Sequence, residues 1–304
     1  MTLAKELYLL ATLGVRYSLK VDVLRELPHF LHDLVFGAKE LPKDDSKVYM
    51  DLHAHFHKSS SIRDIVDTAS KRVDILSITE RVGDQDHLTL KVAIEKLNQE
   101  GIEHTVLGDN VVRVEKEPSF YLLRSVEVYS EEGQGNVIAR FNEQGFPNVK
   151  RPLTELMSRA DDMGAVWFLD HPASIMARGI GFRYPTKQEI EQRRRWFEDE
   201  GPIIEVGNHQ NTLYMFPSNI LARRMAEESD LIGIANSSTH FNVAEVGLSR
   251  TGIPRDAFED ATESDVFGSL NAALLTREVT IDSGYSSAAA FYEFMIKLAI
   301  MPSR

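Results

Sequence analysis

The chain has 304 residues, a formal net charge of −12 and no cysteine. A pI of about 5.3 argues against a general nucleic-acid or membrane-surface binder. The missing cysteines exclude disulfides, thiolate zinc sites and cysteine nucleophiles, and they fit a cytoplasmic protein.

Residues 1–42 read as mostly helical. The apolar run Leu7 to Val15 follows Lys5 and Glu6 without a small-x-small cleavage pattern, so it is not read as a signal peptide. Val21 to Pro28 (VDVLRELP) is expected to break the helix. Beyond it, Phe30, Leu31, Leu34, Val35 and Phe36 recur at helical spacing. The expectation is a helical preface packed on the main body. A homo-oligomer or partner contact through residues 1–42 is the alternative. No stretch approaches the ~18–20 apolar residues of a membrane-spanning helix.

From residue 48 short β-branched or apolar runs alternate with amphipathic stretches. Strands are predicted at 48–53, 73–79, 121–128, 165–170, 203–207 and 231–236, with a weaker one at 279–282. Helices are predicted at 62–71, 85–99, 152–163, 186–200, 218–229, 265–276 and 286–299. Pro152 suits a first turn, and Ser218 and Ser264 suit N-caps. His104 to Leu107, Gly108 to Asn110 and Val111 to Glu115 read as a β-hairpin insertion. Arg193 to Arg195 lie among Glu189, Glu191, Glu198 and Glu200 and read as a solvated helix face. The alternation predicts an α/β protein with a parallel sheet and crossover helices, closed or nearly closed into one barrel. The expected organisation is therefore a helical extension over 1–47 and a barrel domain over 48–304.

In such a barrel, functional groups collect where strands end and βα loops begin. The first strand runs into Asp51-Leu-His53-Ala-His55-Phe-His57, and alternation sends the three histidines to one side. The next strands end at or near Glu80, Glu127, Asp170-His171-Pro172, Asn208-His209 and Ser237-Ser238-Thr239-His240. All six strong strand predictions carry an acid or a histidine at or near the end. With 10 histidines in the chain, this concentration points to a carboxylate–imidazole metal centre that activates water. The loop after His171 carries Arg178-Gly-Ile-Gly-Phe-Arg183, whose guanidinium groups suit bidentate phosphate binding.

The order of these pieces resembles the PHP family, named for polymerase and histidinol phosphatase, whose members are distorted (β/α)7 TIM-like barrels. The family's DLHxH opening is matched by Asp51 to His55, and its Ile-Thr-Asp-His strand end by Ile78-Thr79-Glu80-Arg81. Its strand glutamate is matched by Glu127, and its His-Pro pair by His171-Pro172. Its Ile-Glu-Val-x-Asn segment is matched by Ile204 to Asn208, and its Ser-Asp-x-His motif by Ser237 to His240. The closing helix and strand are matched by Glu263 to Ile281. There are departures. Arg81 stands where the family has a metal-binding histidine, Ser238 stands at a metal-binding aspartate, and Ser59 to Ser61 replace the loop that helps hold a third metal.

The resemblance implies a metal-dependent hydrolase acting on a small-molecule phosphate ester. One or two divalent ions (Zn, Mn or Fe) are implied in place of three. His53, His55, Glu127, His171 and His240 are the expected metal ligands, with Glu80 and His57 as replacement ligands. Glu127, His171 and Arg81 are the expected catalytic groups, and Arg178, Arg183 and His209 the substrate-binding ones. Two other readings stay open: an amidohydrolase-like amide or ring hydrolase, and a non-catalytic barrel serving as a binding or scaffold protein.

Overall fold

The computed structural model describes residues 21–81, 86–131, 135–140, 150–172, 203–210, 217–240, 242–287 and 289–290. Arg178, Arg183, the arginine run 193–195, the helix expected at 186–200 and most of that expected at 286–299 lie outside the described residues. Among the described residues, no helix is long and apolar enough to cross a membrane.

Helix α1 (Val21–Phe36) runs through Pro28 without the expected break. Phe30 of α1 packs on Ile220 and Tyr285, and Asp33 accepts a hydrogen bond from Tyr285 N (3.1 Å). Then follow β1 (Lys47–His55), α2 (Ile62–Ala69), β2 (Ile75–Arg81), α3 (Leu90–Gln99), the hairpin β3 (His104–Val106) and β4 (Val111–Val114), and β5 (Phe120–Tyr129). After them come β6 (Gly135–Ala139), α4 (Leu153–Asp162), β7 (Val166–Leu169), β8 (Ile203–Asn208), α5 (Pro217–Ser229) and β9 (Ile232–Asn236). The chain continues with β10 (Thr239–His240), β11 (Arg250–Pro254), α6 (Glu263–Leu275) and β12 (Thr280–Asp282). The N-cap of α6 is Thr262, whose side chain accepts from Asp265 N, in place of the expected Ser264. Ser218 lies inside α5, one residue after its start, and is buried.

The sheet order is β12-β11-β1-β2-β5-β6-β7-β8-β9. Strands β1, β2 and β5 are mutually parallel, as are β7, β8 and β9. Two antiparallel strands, β6 and β11, distort the barrel. Neither is among the strands predicted from sequence, because each is a short run that follows the preceding strand with no α-helix between them. Side chains draw β9 to β1 and β11. Asn236 Oδ1 accepts from Leu52 N (2.8 Å) and Thr251 Oγ1 accepts from Ala235 N (2.8 Å). Just beyond β9, β10 pairs with the end of β1, Thr239 opposite Ala54 and His240 opposite His55. The result is a nearly closed, distorted α/β barrel.

Pleat parity decides what faces the interior. Met50, Leu52, Ile75, Leu123, Phe168 and Ile234 share one core cluster with Phe267 and Leu270 of α6. Leu76, Ile78 and Leu122 belong to a second cluster under α2 and α3. In β1 the register shifts between Asp51 and Ala54. Ahead of the shift the even residues enter the interior cluster. Beyond it, Ala54 and Phe56 join the outer one. This irregularity turns His53 and His55 inward, a use of bulges seen beside active sites.

Candidate metal centre at the barrel mouth

The apolar interior gives way towards the strand ends to a polar layer. Ser77 Oγ donates to Ser125 Oγ (2.6 Å), which lies 3.0 Å from Thr79 Oγ1. Above these hydroxyls stand His53, His55 and Glu127, all buried.

The tautomers of the histidines follow from their partners. Glu205 Oε1 lies 3.2 Å from His53 Nδ1, and Thr79 O lies 2.9 Å from His55 Nδ1. Ser238 O lies 2.8 Å from His240 Nδ1. Carboxylates and carbonyls only accept, so in each ring Nδ1 donates and Nε2 presents a lone pair. Outer partners of this kind orient metal-binding histidines. The Nε2 atoms of His53 and His55 then face each other at 3.0 Å. Glu127 Oε2 is 3.4 Å from His55 Nε2. Two lone pairs that close repel unless a cation lies between them. The spacings approach the roughly 3.3–3.6 Å edges of a tetrahedron whose ligands stand ~2.0–2.2 Å from a metal. The donor set fits a divalent ion.

Two partial triads share His53: His53/His55/Glu127 and His53/His171/Glu205. In the second, Glu205 Oε2 lies 2.7 Å from His171 Nδ1 and accepts from Asn208 Nδ2 (2.7 Å), while its Oε1 accepts from Asn236 Nδ2 (3.1 Å). These are hydrogen bonds that fix the carboxylate and two imidazoles. His171 (φ 45°) and Ser238 (φ 48°) both adopt left-handed backbone. They meet across the mouth, with Ser238 Oγ 3.4 Å from His171 Nε2. Left-handed non-glycine residues are uncommon and tend to cluster at functional sites.

Arg81 reaches into this layer. Its Nε donates to Glu127 Oε2 (2.8 Å) and its Nη2 to His240 Nε2 (2.8 Å). Tyr129 OH donates to the other oxygen, Glu127 Oε1 (2.6 Å). Burial pushes the Glu127 carboxyl up, but Arg81 and then His55 outweigh it and hold it well below the carboxylate range. Burial, then the Arg81 charge, keep His55 and His240 well below the usual imidazole value. Burial also opposes a charge on His171, yet Glu205 and Asp170 raise it to about 9. Asp170 is pushed up to about 7 by burial, with Glu127 and Glu205 adding to the effect.

Of the metal ligands expected from sequence, His53, His55 and Glu127 come together, and His171 joins His53 from the other side. His240 lies across Arg81 from Glu127. The two replacement ligands stand elsewhere. Glu80 is on the outer face of β2, where Arg124 Nε and Nη2 grip its two oxygens (3.0 and 3.1 Å). Parity puts Arg81 inward and therefore Glu80 outward. His57 lies past the end of β1, where its Nδ1 is engaged by Ser59 Oγ (2.6 Å). His209, expected to bind substrate, is buried with Nε2 3.5 Å from Glu245 Oε1. Glu205 lies in the Ile204 to Asn208 segment matched from sequence, but it is not among the site residues expected there. Its signal was that of Glu127, an acid inside an apolar strand.

Solved structures share this fold, and two of them align over most of the chain. One is a two-domain protein from Bacteroides vulgatus described as containing a predicted PHP-like metal-dependent phosphoesterase. It aligns with a TM-score of 0.50 at 17% identity, over 80% of this chain and 67% of its own. The other is PsfC from Pseudomonas syringae, with a TM-score of 0.51 at 14% identity, over 84% of this chain and 97% of its own. No family model matches the sequence, and no curated protein matches it. At these identities the likeness carries the fold and leaves chemistry to the site. The chain has a divergent PHP-like fold, with two partial His/Glu clusters at its mouth able to chelate a divalent metal.

Proposed function

We propose that the protein is a metal-dependent hydrolase of small phosphate esters. The observation that carries this reading is the pair of Nε2 lone pairs on His53 and His55, 3.0 Å apart and beside the Glu127 carboxylate. His53, His55 and Glu127 would hold the ion, and a nitrogen–oxygen set of this kind suits Zn, Mn or Fe. A metal so held supplies a water of lowered pKa near neutral pH and polarises a phosphoryl oxygen.

The remaining steps belong to the chain's own residues. Glu205 orients His53 and His171 through their Nδ1–H groups. His171, partly exposed and fixed by Glu205, presents Nε2 to the mouth and delivers a proton to the leaving oxygen. The Arg81 guanidinium, 37% exposed in its side chain, supplies positive charge where a phosphoryl group would carry negative charge. That cation favours a phosphate ester over the amide alternative.

The test is a substrate panel of p-nitrophenyl phosphate, its bis-ester and simple p-nitroanilides. Each is offered to protein stripped with a chelator and to protein resupplied with Mn or Zn. Release from the phosphate esters alone, only after resupply, is expected. Release from the anilides alone would establish the amide hydrolase instead, and no turnover of any compound would favour the scaffold.

A further inference from the structure

We propose that Arg81 is the second cation of this centre. Its guanidinium stands where a second metal ion bridged by Glu127 would bind, so that carboxylate joins one metal to a fixed positive charge. This inference rests on the metal-dependent reading above and fixes how that site is built.

A second ion bridged to the His53/His55/Glu127 triad through Glu127 would draw on that carboxylate and on His240, the imidazole whose Nε2 meets the same guanidinium. Both donor atoms already receive an N–H from one guanidinium, Glu127 Oε2 from Nε and His240 Nε2 from Nη2, each at 2.8 Å. The other Glu127 oxygen receives Tyr129 OH at 2.6 Å. His240 cannot turn its other nitrogen to a metal without giving up the Ser238 carbonyl at 2.8 Å.

Charge closes the position further. A proton on an imidazole can be exchanged for a metal, but an arginine keeps its charge at any working pH. Glu127 Oε2 touches His55 Nε2 (3.4 Å) on one side and Arg81 Nε on the other. It links the metal triad to the guanidinium as a bridging carboxylate links two ions. The guanidinium has five N–H donors, and the bonds to Glu127 and His240 leave donors for an anionic substrate oxygen. Arg81 is thereby built into the centre as a permanent electrophile that no chelator removes.

The test counts metal. Full-length protein is stripped with a chelator, titrated with Mn²⁺ and passed through gel filtration. Bound metal is read by mass spectrometry, and electron paramagnetic resonance distinguishes an isolated ion from a coupled pair. Wild type is expected to hold one equivalent with an uncoupled signal. Arg81→Met, which removes the charge and keeps the bulk, is expected to hold two, with the second coupled to the first. Two equivalents in wild type, or one in both proteins, would overturn the inference and leave the metal-dependent reading standing. No bound metal in either protein would sink that reading and the inference with it.

If Arg81→Met does not fold, His240→Ala takes its place. Here wild-type stoichiometry and affinity should persist, because Arg81, and not the metal, holds His240 Nε2. Loss of the bound metal in that variant would overturn the inference.

Discussion

The two sides of the barrel mouth each group one buried glutamate with two imidazoles, yet they are built for different work. Glu205 is surrounded by His53, His171, Asn208 and Asn236. Every one of these partners is neutral or can become neutral. Glu127 touches His55, Arg81 and Tyr129, and one of the three is a permanent cation. Residue type and burial are the same on both sides. The neighbours assign the role: Glu205 orients rings, whereas Glu127 bonds to whatever cations the centre holds. Composition alone would have scored the two glutamates alike.

His53 is the one residue common to both sides, so its removal should have the largest effect. His53→Ala is expected to lose bound metal and to lower kcat by on the order of 10³-fold, equivalent to several kcal/mol of transition-state stabilisation. Metal analysis after dialysis, alongside steady-state turnover, reads both. Retained metal with retained turnover would remove the shared histidine from the centre and dissolve the comparison.

Glu205→Gln comes next. Glutamine keeps the shape but weakens the hold on His53 Nδ1 and His171 Nδ1. An orienting partner of this kind typically changes metal affinity by ~10–100-fold. Competition with a fluorescent chelator should show a loss in that range with the stoichiometry unchanged. A complete loss of metal would make Glu205 a direct ligand, and the second triad would then be the metal site.

Much of this was legible in the sequence, and the reasons for the misses are physical. Strand ends rich in acids and histidines identify the mouth, because βα loops follow parallel strands and gather on one side. Alternation within a strand carries less far once a bulge intervenes. The register shift between Asp51 and Ala54 is invisible in DLHAHFH, and so is the end of β1 at His55, which leaves His57 with Ser59. The strands β6 and β11 each follow a strand with no α-helix in between, which breaks the strand-then-helix rhythm that made most of the others readable. Pro28 was expected to end a helix. The chain runs on through it, and burial of Phe30 against Ile220 and Tyr285 supplies packing that propensity does not count.

The smallest expected effect tests parity itself. Glu80 and Arg81 are neighbours in sequence, and on charge alone Glu80 is the better candidate to bind metal. Pleating separates them. Arg81 faces the mouth with Ser77 and Thr79, while Glu80 faces outward, where Arg124 bonds both of its oxygens and Leu90 N donates to Oε1 at 3.3 Å. These contacts anchor the start of α3 to the barrel wall. Glu80→Gln should therefore leave metal stoichiometry and affinity at wild-type values. It should lower stability by about 1.5–3 kcal/mol, the range for hydrogen bonds to a charged partner. Urea denaturation of the metal-free protein measures the stability change free of any contribution from bound metal. A loss of metal affinity with little change in stability would place Glu80 inside the barrel. That result would require a register shift in β2 like the one in β1, and Arg81 would then face outward, away from Glu127.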